Sequence, residues 1–594
     1  MKRMCAGLGL ACTVAWTLSA AAGVKWYAVD PMGEEPYMPD KAPYGGKEGA
    51  PIQIIAAKGE YEPGSFVLVA DQDLGKVKLE ISDLKQVKVK GEGEGRETGA
   101  VFPKEKIDLK TVKVWYQAGN AWTSYFSDPK LKLCPELLLN DEDLVKVDTK
   151  KGWNYARLTE ADGSVRYQWI NPPHQVDQGS FGCMKPNFCD AKTHQGATLG
   201  KGEFKQFWLT FEVGKDVKAG VYRGEVKVKS KSEKGKSAEA SIPLVLRVLD
   251  FELPEPKCYF DVKKDFVTWF CEYVGIEDIM KLNGNDKALA ERQLVAILKD
   301  FVRHNEIIPG YREFVERPEF AREAGMCTTN HLYLGLMQLA DPAQMRYDAR
   351  HRKEALDRKF GPAGEKILGW GDEYGISKFR GIRHMVPIYQ DAGFTFMINS
   401  WVGYEAGGHM SDLWWPPLNP DAESFATTYK FNQLGGDGYV GWYACQHVGN
   451  ENPAFCRRQY GFGPYRAGLS CNYNYAHHLD GWNDLRELYR AMMFVYGTGD
   501  GCVDTIQWEG FREGLDDIRY ATKLLQLAQP LSHSPDTARR YPAKKALQLL
   551  ADADGDDMDL TTLRLEMIRY IEKLSGLAVE RLSGEAVVKV GGAK

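Results

Sequence analysis

Lys366–Gly375 reads Lys-Ile-Leu-Gly-Trp-Gly-Asp-Glu-Tyr-Gly. Ile367 and Leu368 make a short buried strand, Trp370 and Gly371 end it, and the pattern turns helical after Gly375. Asp372 and Glu373 fall at the join, at the carboxyl end of a strand and just before a helix, where β/α barrel enzymes keep catalytic groups. Two neighbouring carboxylates in an aromatic setting can hold different protonation states, which acid/base chemistry on a sugar requires. The plainer reading is a helix start, with Asp as an N-cap and Glu in the first turn facing the dipole. The segment alone leaves both open.

Working outward, the chain from about residue 258 alternates strand and helix, the rhythm of a parallel sheet. Strand candidates are Tyr259–Phe270, Ile307–Phe314, His331–Met337, Lys366–Trp370, Phe394–Asn399, Tyr439–Cys445, Leu469–Tyr475 and Asp504–Trp508. Helical stretches separate most of them: Lys287–Arg303 carries Leu294, Ile297, Leu298 and Phe301 on one stripe, and Ala343–Lys359, Pro453–Tyr460 and Asp484–Val495 follow. Eight βα units over residues 256–528 predict a (β/α)8 TIM-like barrel. The stretch Tyr404–Asn419, with Trp414-Trp415-Pro416-Pro417, is a loop long enough to be functional.

Upstream, period-two alternation takes over in Ser65–Val69, Lys76–Ile81, Gln86–Lys90, Val112–Gln117, Phe207–Val213, Tyr222–Lys229 and Leu244–Leu249. These predict an all-β sandwich over residues 23–255, closed off by Pro254 and Pro256. The charged Gly91–Gly99 run is a hairpin loop and not a phosphate cradle, since no helix follows it. Downstream, Arg512–Ala528 is a helix closing the barrel, and residues 529–594 form a short helical region with a helix pair near 541–575. The acidic run Asp552–Asp557 has its Gly at the fourth position and Leu563 where calcium needs Glu, so it is a solvated turn.

Residues 1–22 have the pattern of a signal peptide: Lys2 and Arg3, an apolar run from Met4 to about Leu18, then Ala20-Ala21-Ala22. The expectation is a secreted or periplasmic bacterial protein with no membrane span once that segment is removed. A formal net charge of −5 argues against nucleic acid as a partner. Of 12 Cys, Cys5 and Cys12 lie in the signal segment, and the others are scattered without a CxxC; Cys183 and Cys189 are close enough to pair in an oxidising compartment. No GxSxG, HExxH or Walker A pattern occurs, and His477-His478 reads as loop histidines, so no metal and no cofactor is expected.

What remains is carboxylates and aromatics at strand ends. Aromatic residues make up 12% of the chain, with 15 Trp and 29 Tyr, a composition that suits sugar platforms as well as large cores. Trp370, Trp401, Trp442-Tyr443 and Trp508-Glu509 all fall on one barrel face if the strand count holds. One such Trp is ordinary core; four beside acids favour a carbohydrate site.

Further segments carry a resemblance. Lys58-Gly59-Glu60-Tyr61-Glu62-Pro63, Ala219–Gly224 and Val248–Pro254 mark the sandwich, Asp372-Glu373 follows the fourth strand, and Trp508-Glu509-Gly510-Phe511-Arg512-Glu513-Gly514-Leu515-Asp516-Asp517-Ile518-Arg519-Tyr520 ends the barrel. Together they resemble glycoside hydrolase family 123 and its relatives over most of the mature chain. The resemblance implies an exported, retaining β-N-acetylgalactosaminidase using substrate-assisted catalysis, with Glu373 as general acid/base and Asp372 orienting the 2-acetamido group. Trp370, Trp401, Trp442, Tyr443, Trp508 and Glu509 would bind the sugar, and Glu513–Asp517 would tie the last helix to the barrel. Tyr374-Gly375 departs from the family, where Pro is common after the Glu, and this bears on which sugar is taken. Two alternatives stand beside this reading: a glycosidase for another sugar with Glu509 or Glu405 as nucleophile, and a non-catalytic glycan-binding protein.

Overall fold

The computed structural model describes residues 23–33, 37–38, 46–88, 96–117, 131–170, 185–231, 237–272, 276–282, 284–306, 317–326, 331–333, 341–369, 376–399, 413–415, 439–443, 451–478, 482, 493–553 and 559–577. The segments predicted as a signal peptide (1–22) and as strand 307–314, and the turn at 554–557, lie outside them, as do Cys183 and most of the predicted helix 484–495.

The alternating segments of the first half are strands. A six-stranded antiparallel sheet runs in the order Lys47–Glu48, Val24–Val29, Glu60–Ala70, Phe204–Val213, Ile107–Gln117, Lys132–Leu139. Facing it, Ala197–Leu199, Gly75–Ile81, Gly220–Lys231, Ser237–Glu252 and Ile52–Lys58 make the second layer, with the hairpin Leu84–Lys88/Arg96–Phe102 attached to it. Phe66, Leu68, Phe207 and Leu209 from one layer meet Val77, Tyr222, Ile242 and Leu246 from the other. Phe66 and Phe207 are register partners whose rings stack at 5.2 Å, a cross-strand pair that fixes the alignment of the two strands.

A smaller three-stranded sheet, Val145–Asp148, Trp153–Thr159 and Val165–Trp169, leans on this sandwich. One face supplies Val145, Ala156 and Leu158 to a core that also holds Trp115, Leu137, Trp482 and Tyr496. The opposite face carries Trp153, Tyr155, Tyr167 and Trp169, none of them fully buried.

In the second half, seven parallel strands lie in the order Val267–Glu272, Cys471–His478, Tyr439–Tyr443, Leu413–Trp415, Thr395–Asn399, Glu365–Gly369, His331–Tyr333. Neighbours in space are neighbours in the chain, and the first strand pairs with the last, which is barrel winding. The described residues form an open sheet, not a closed (β/α)8 barrel, and two predictions about its strands are corrected. Leu413–Trp415, read as part of a loop, is a strand; three residues before Pro416-Pro417 are too few to show a period. Asp504–Trp508, read as the eighth strand, is not one. Gly501–Asp504 pairs antiparallel with Val495–Thr498, and a helix runs from Ile506 to Leu531, starting well before Arg512. Thr505 supplies the reason: its hydroxyl accepts from Trp508 N at 3.3 Å, an N-cap hidden among residues that favour strands.

This Ile506–Leu531 helix, hereafter the central helix, is buried over most of its length, charged residues included. Its glycines explain how. A Cβ on Gly510 would lie 2.3 Å from Pro453 O, and one on Gly514 would lie 2.5 Å from Arg457 O. The run Pro453–Arg457, continued by a π-helical turn Arg458–Phe462 and by Gly463–Arg466, therefore packs backbone against backbone on it. Arg457 closes the contact with two bonds to Asp517, at 2.7 and 2.9 Å. From the C-terminal helix Leu560–Ser575, Arg564 reaches Asp517 at 2.7 Å, Glu513 at 2.6 Å and the sandwich residue Glu62 at 3.1 Å. Tyr520 donates to Glu60 at 2.7 Å. Glu513 and Asp517 are thus structural ties: both hold the helix Leu560–Ser575 through Arg564, and Asp517 also holds the helix at 453–466 through Arg457.

Candidate active site

All seven strands of the second sheet point one way, so their carboxyl ends share one edge. Glu365–Gly369 stops immediately before Trp370, and the next helix starts at Ile376. Asp372 and Glu373 therefore belong to the connection that leaves this edge; residues 370–375 themselves lie outside the described set. Trp401 follows Thr395–Asn399 by two positions and also lies outside it, as does Glu405. Trp442 and Tyr443 are the last two residues of their strand, in register with Asn472 and Tyr473. The strands ending at Gly369, Asn399, Trp415 and Tyr443 are consecutive in the sheet. Three strand spacings, about 14 Å in all, separate the acid pair's strand from that of Trp442. Of the predicted positions other than Trp508 and Glu509, only Trp442 and Tyr443 belong to described strand residues, at the carboxyl edge.

Trp508 and Glu509 do not. Both sit in the first turns of the central helix, fully enclosed, so neither offers surface to a ligand. Trp508 stacks on His304 at 4.5 Å and donates to Asp300 at 2.9 Å. Glu509 accepts from Arg512 at 2.7 Å and from Trp208 of the sandwich at 2.9 Å, with His304 Nε2 at 3.4 Å. These partners use up the carboxylate, which removes it as a sugar ligand and as the alternative nucleophile.

The surroundings of Glu509 form a buried charge layer that sequence reading did not find. Burial pushes His304 down, but the carboxylates of Asp300, at 3.2 Å, and Glu509 overcome it and raise the imidazole to about 9. Burial likewise pushes Glu509 up, yet Arg512 and then His304 hold it well below the ordinary carboxylate range. His477, expected in a loop, lies in the strand Cys471–His478, its ring 4.0 Å from that of Phe301 and tilted 31° to it, with Asp300 at 3.7 Å. Asp300, Cys502 and Asp504 bring three potential ligand atoms within 4.8 Å of one another. The cluster carries its own cations, since Lys110 holds Asp504 at 2.8 Å and His304 faces Asp300. The signal for this layer was the close run of charges Asp300, Arg303, His304 and Glu306 ending the apolar stripe of the helix Lys287–Arg303.

An antiparallel β-sandwich packs through a buried helix on a parallel β/α sheet. The chain has the fold of a family 123 glycoside hydrolase. The solved structure of such an enzyme from Clostridium perfringens, studied for glycolipid glycan hydrolysis, superposes with a TM-score of 0.58 at 10% identity, covering 88% of this chain and 93% of the other. Two further solved structures overlap loosely: a calcium-binding mutant of Bacteroides uniformis β-glucuronidase 2 (TM-score 0.25, 9% identity, 79% and 48% covered) and the agarase AgWH50C (TM-score 0.28, 7% identity, 78% and 93% covered). Neither of these carries weight here. No sequence profile of a known family and no curated protein matches the chain.

Proposed function

We propose that the protein is an exported, retaining glycoside hydrolase that removes 2-acetamido sugars, of the β-N-acetylgalactosaminidase type, from a glycan or glycoconjugate. The observation that carries this reading is the family 123 fold along 88% of the chain, and Asp372-Glu373 follow the strand Glu365–Gly369 in the sequence. Glu373 gives its proton to the glycosidic oxygen and later takes one from water. Asp372 orients the acetamido N–H and supports the charge of the oxazolinium-like transition state. The substrate's own carbonyl oxygen attacks the anomeric carbon, so the enzyme needs no nucleophile, and two opposed carboxylates about 5 Å apart are not required. Trp370, Trp401, Trp442 and Tyr443 supply the apolar surface against which the sugar ring rests.

A panel of aryl glycosides tests the sugar. Glu373→Gln should abolish hydrolysis of poor leaving groups and spare activated ones more, because only protonation of the leaving oxygen is lost. Asp372→Asn should slow both by roughly 10²–10³. A thiazoline mimic should inhibit, and a 2-deoxy-2-fluoro glycoside should leave no adduct. An adduct mapped to Glu405, with indifference to the thiazoline, rules out substrate assistance.

A further inference from the structure

An antiparallel sheet with one face on a core ordinarily turns polar residues outward. The three-stranded sheet at residues 145–169 does the opposite. Its inner face is packed on Trp115, Leu137 and Tyr496, while its outer face is aromatic. Tyr155 and Trp169 are register partners, Arg157 and Tyr167 are the next pair, and Trp153 lies two residues along from Tyr155, so all four rings share one side. Trp153 and Trp169 stack at 4.2 Å with 27° between their planes, and Trp153 meets Tyr155 at 6.2 Å. Tyr167 is 39% exposed. Two residues of strand, about 7 Å, separate Tyr167 from Trp169, a length on the scale of one pyranose ring.

Two ammonium groups stand over the rings, and the Tyr167 hydroxyl donates to the carbonyl of the exposed Asp143 at 3.0 Å. Lys151 sits over the Trp153 ring at 4.7 Å and Lys146 over the Tyr167 ring at 5.5 Å. Asp148, the acid nearest in sequence, accepts from the backbone amides of Lys150 and Lys151. Arg157 is held by Asp141. Lys146 and Lys151 thus bring two ammonium groups directly onto the rings of one small face.

We infer that this face is a second glycan site, separate from the carboxyl edge of the parallel sheet, and that its occupant is an extended polysaccharide carrying acidic groups. Ring C–H faces of the sugar stack on Trp153, Tyr155, Tyr167 and Trp169, and Lys146 and Lys151 turn from the rings to the sugar's anionic groups. Stacking supplies a contact indifferent to sequence along the chain, and the ammonium groups select for charge.

The test is affinity electrophoresis of the full-length protein through gels holding a sulfated galactan, a polyuronate or a neutral galactan. The expected result is retardation by an anionic gel, sulfated or uronate according to the acid recognised, that weakens with added salt. Tyr167→Ala and Lys146→Glu should each loosen binding about tenfold, with aryl-glycoside hydrolysis and melting temperature unchanged. Glu373→Gln should bind as the wild type does, which separates this site from the catalytic reading. Equal retention by the neutral gel, binding indifferent to both substitutions, or no retention by either anionic gel overturns the inference. In the last case the rings serve only as a cross-strand ladder within the sheet.

Discussion

Replacing Gly514 by Ala puts the contact between the central helix and the helix at 453–466 to a sharp test. On an exposed helix the substitution gains about 1 kcal/mol, because Ala loses less backbone entropy. Here the added Cβ would stand 2.5 Å from Arg457 O and 3.0 Å from the Cα of Gly461. An ordinary contact needs close to another ångström, and both opposing atoms are backbone, so the helices must separate. Overpacking of this kind costs about 1–3 kcal/mol. Separation also stretches the bidentate bond of Arg457 to Asp517, now 2.7 and 2.9 Å, and a buried pair that is broken costs about 3–5 kcal/mol. Even partial stretching outweighs the propensity gain, leaving a net loss of about 2 kcal/mol or more. Gly381 is the internal control: it lies in the helix Ile376–Ile382 with nothing within 4 Å of its Cβ position. Thermal melts of both variants should show Gly514→Ala several degrees below the wild type and Gly381→Ala level with or above it. A Gly514→Ala protein as stable as the wild type would refute the backbone-contact argument outright.

Other outcomes follow from the buried layer and the seam. His304, raised to about 9 from an ordinary 6.5, contributes stability that is complete below the ordinary value and lost as pH rises through about 9. Unfolding free energies of wild type relative to His304→Gln, from urea melts, should therefore fall between pH 6.5 and 9, by at most about 1.4 kcal/mol per pH unit; a constant difference would mean the imidazole does not titrate there. Trp508→Ala removes a fully buried indole and should cost about 3–5 kcal/mol while leaving KM for an aryl glycoside unchanged; a raised KM in a protein that melts normally would return Trp508 to the substrate site. Arg457→Lys forfeits the fork on Asp517 and a 3.0 Å bond to Thr561, for about 2–3 kcal/mol. Arg569→Lys, at an exposed pair with Glu566, should change stability by less than about 1 kcal/mol, and equal losses at the two positions would remove the distinction between seam and surface.

The sandwich was legible because its strands bury one face each, and period two survives in residues such as Phe207, Leu209 and Phe211. The helix Lys287–Arg303 was legible to its ends because Asp286 caps it by accepting from Leu289 N. The central helix hid its start because Thr505, Ile506 and Trp508 favour strands in isolation, and only the packing of Gly510 against Pro453 selects the helix. That misplaced start carried Trp508 and Glu509 to a strand end, and so into the sugar site. Period and propensity do not tell a buried ion pair from a ligand-binding acid; the difference is set by Arg512, His304 and Trp208, the last 301 positions away in the chain. The strand before the acid pair and the helix after it were legible from the sequence, ending at Gly369 and starting at Ile376. The outward rings of Trp153, Tyr155, Tyr167 and Trp169 were written in the sequence as two aromatic pairs at spacing two, but nothing there says which face of the sheet is covered.

The ties from Glu60 to the central helix and from Glu62 to the helix Leu560–Ser575 govern the order in which the molecule can be made. Tyr520 reaches Glu60 across 460 positions and Arg564 reaches Glu62 across 502, so the acids of this strand wait for partners made much later. Contacts of such separation close slowly, after their loops have been ordered. The sandwich emerges before the parallel sheet yet is completed only with the helix Leu560–Ser575, so removing that helix acts on the seam of the sandwich.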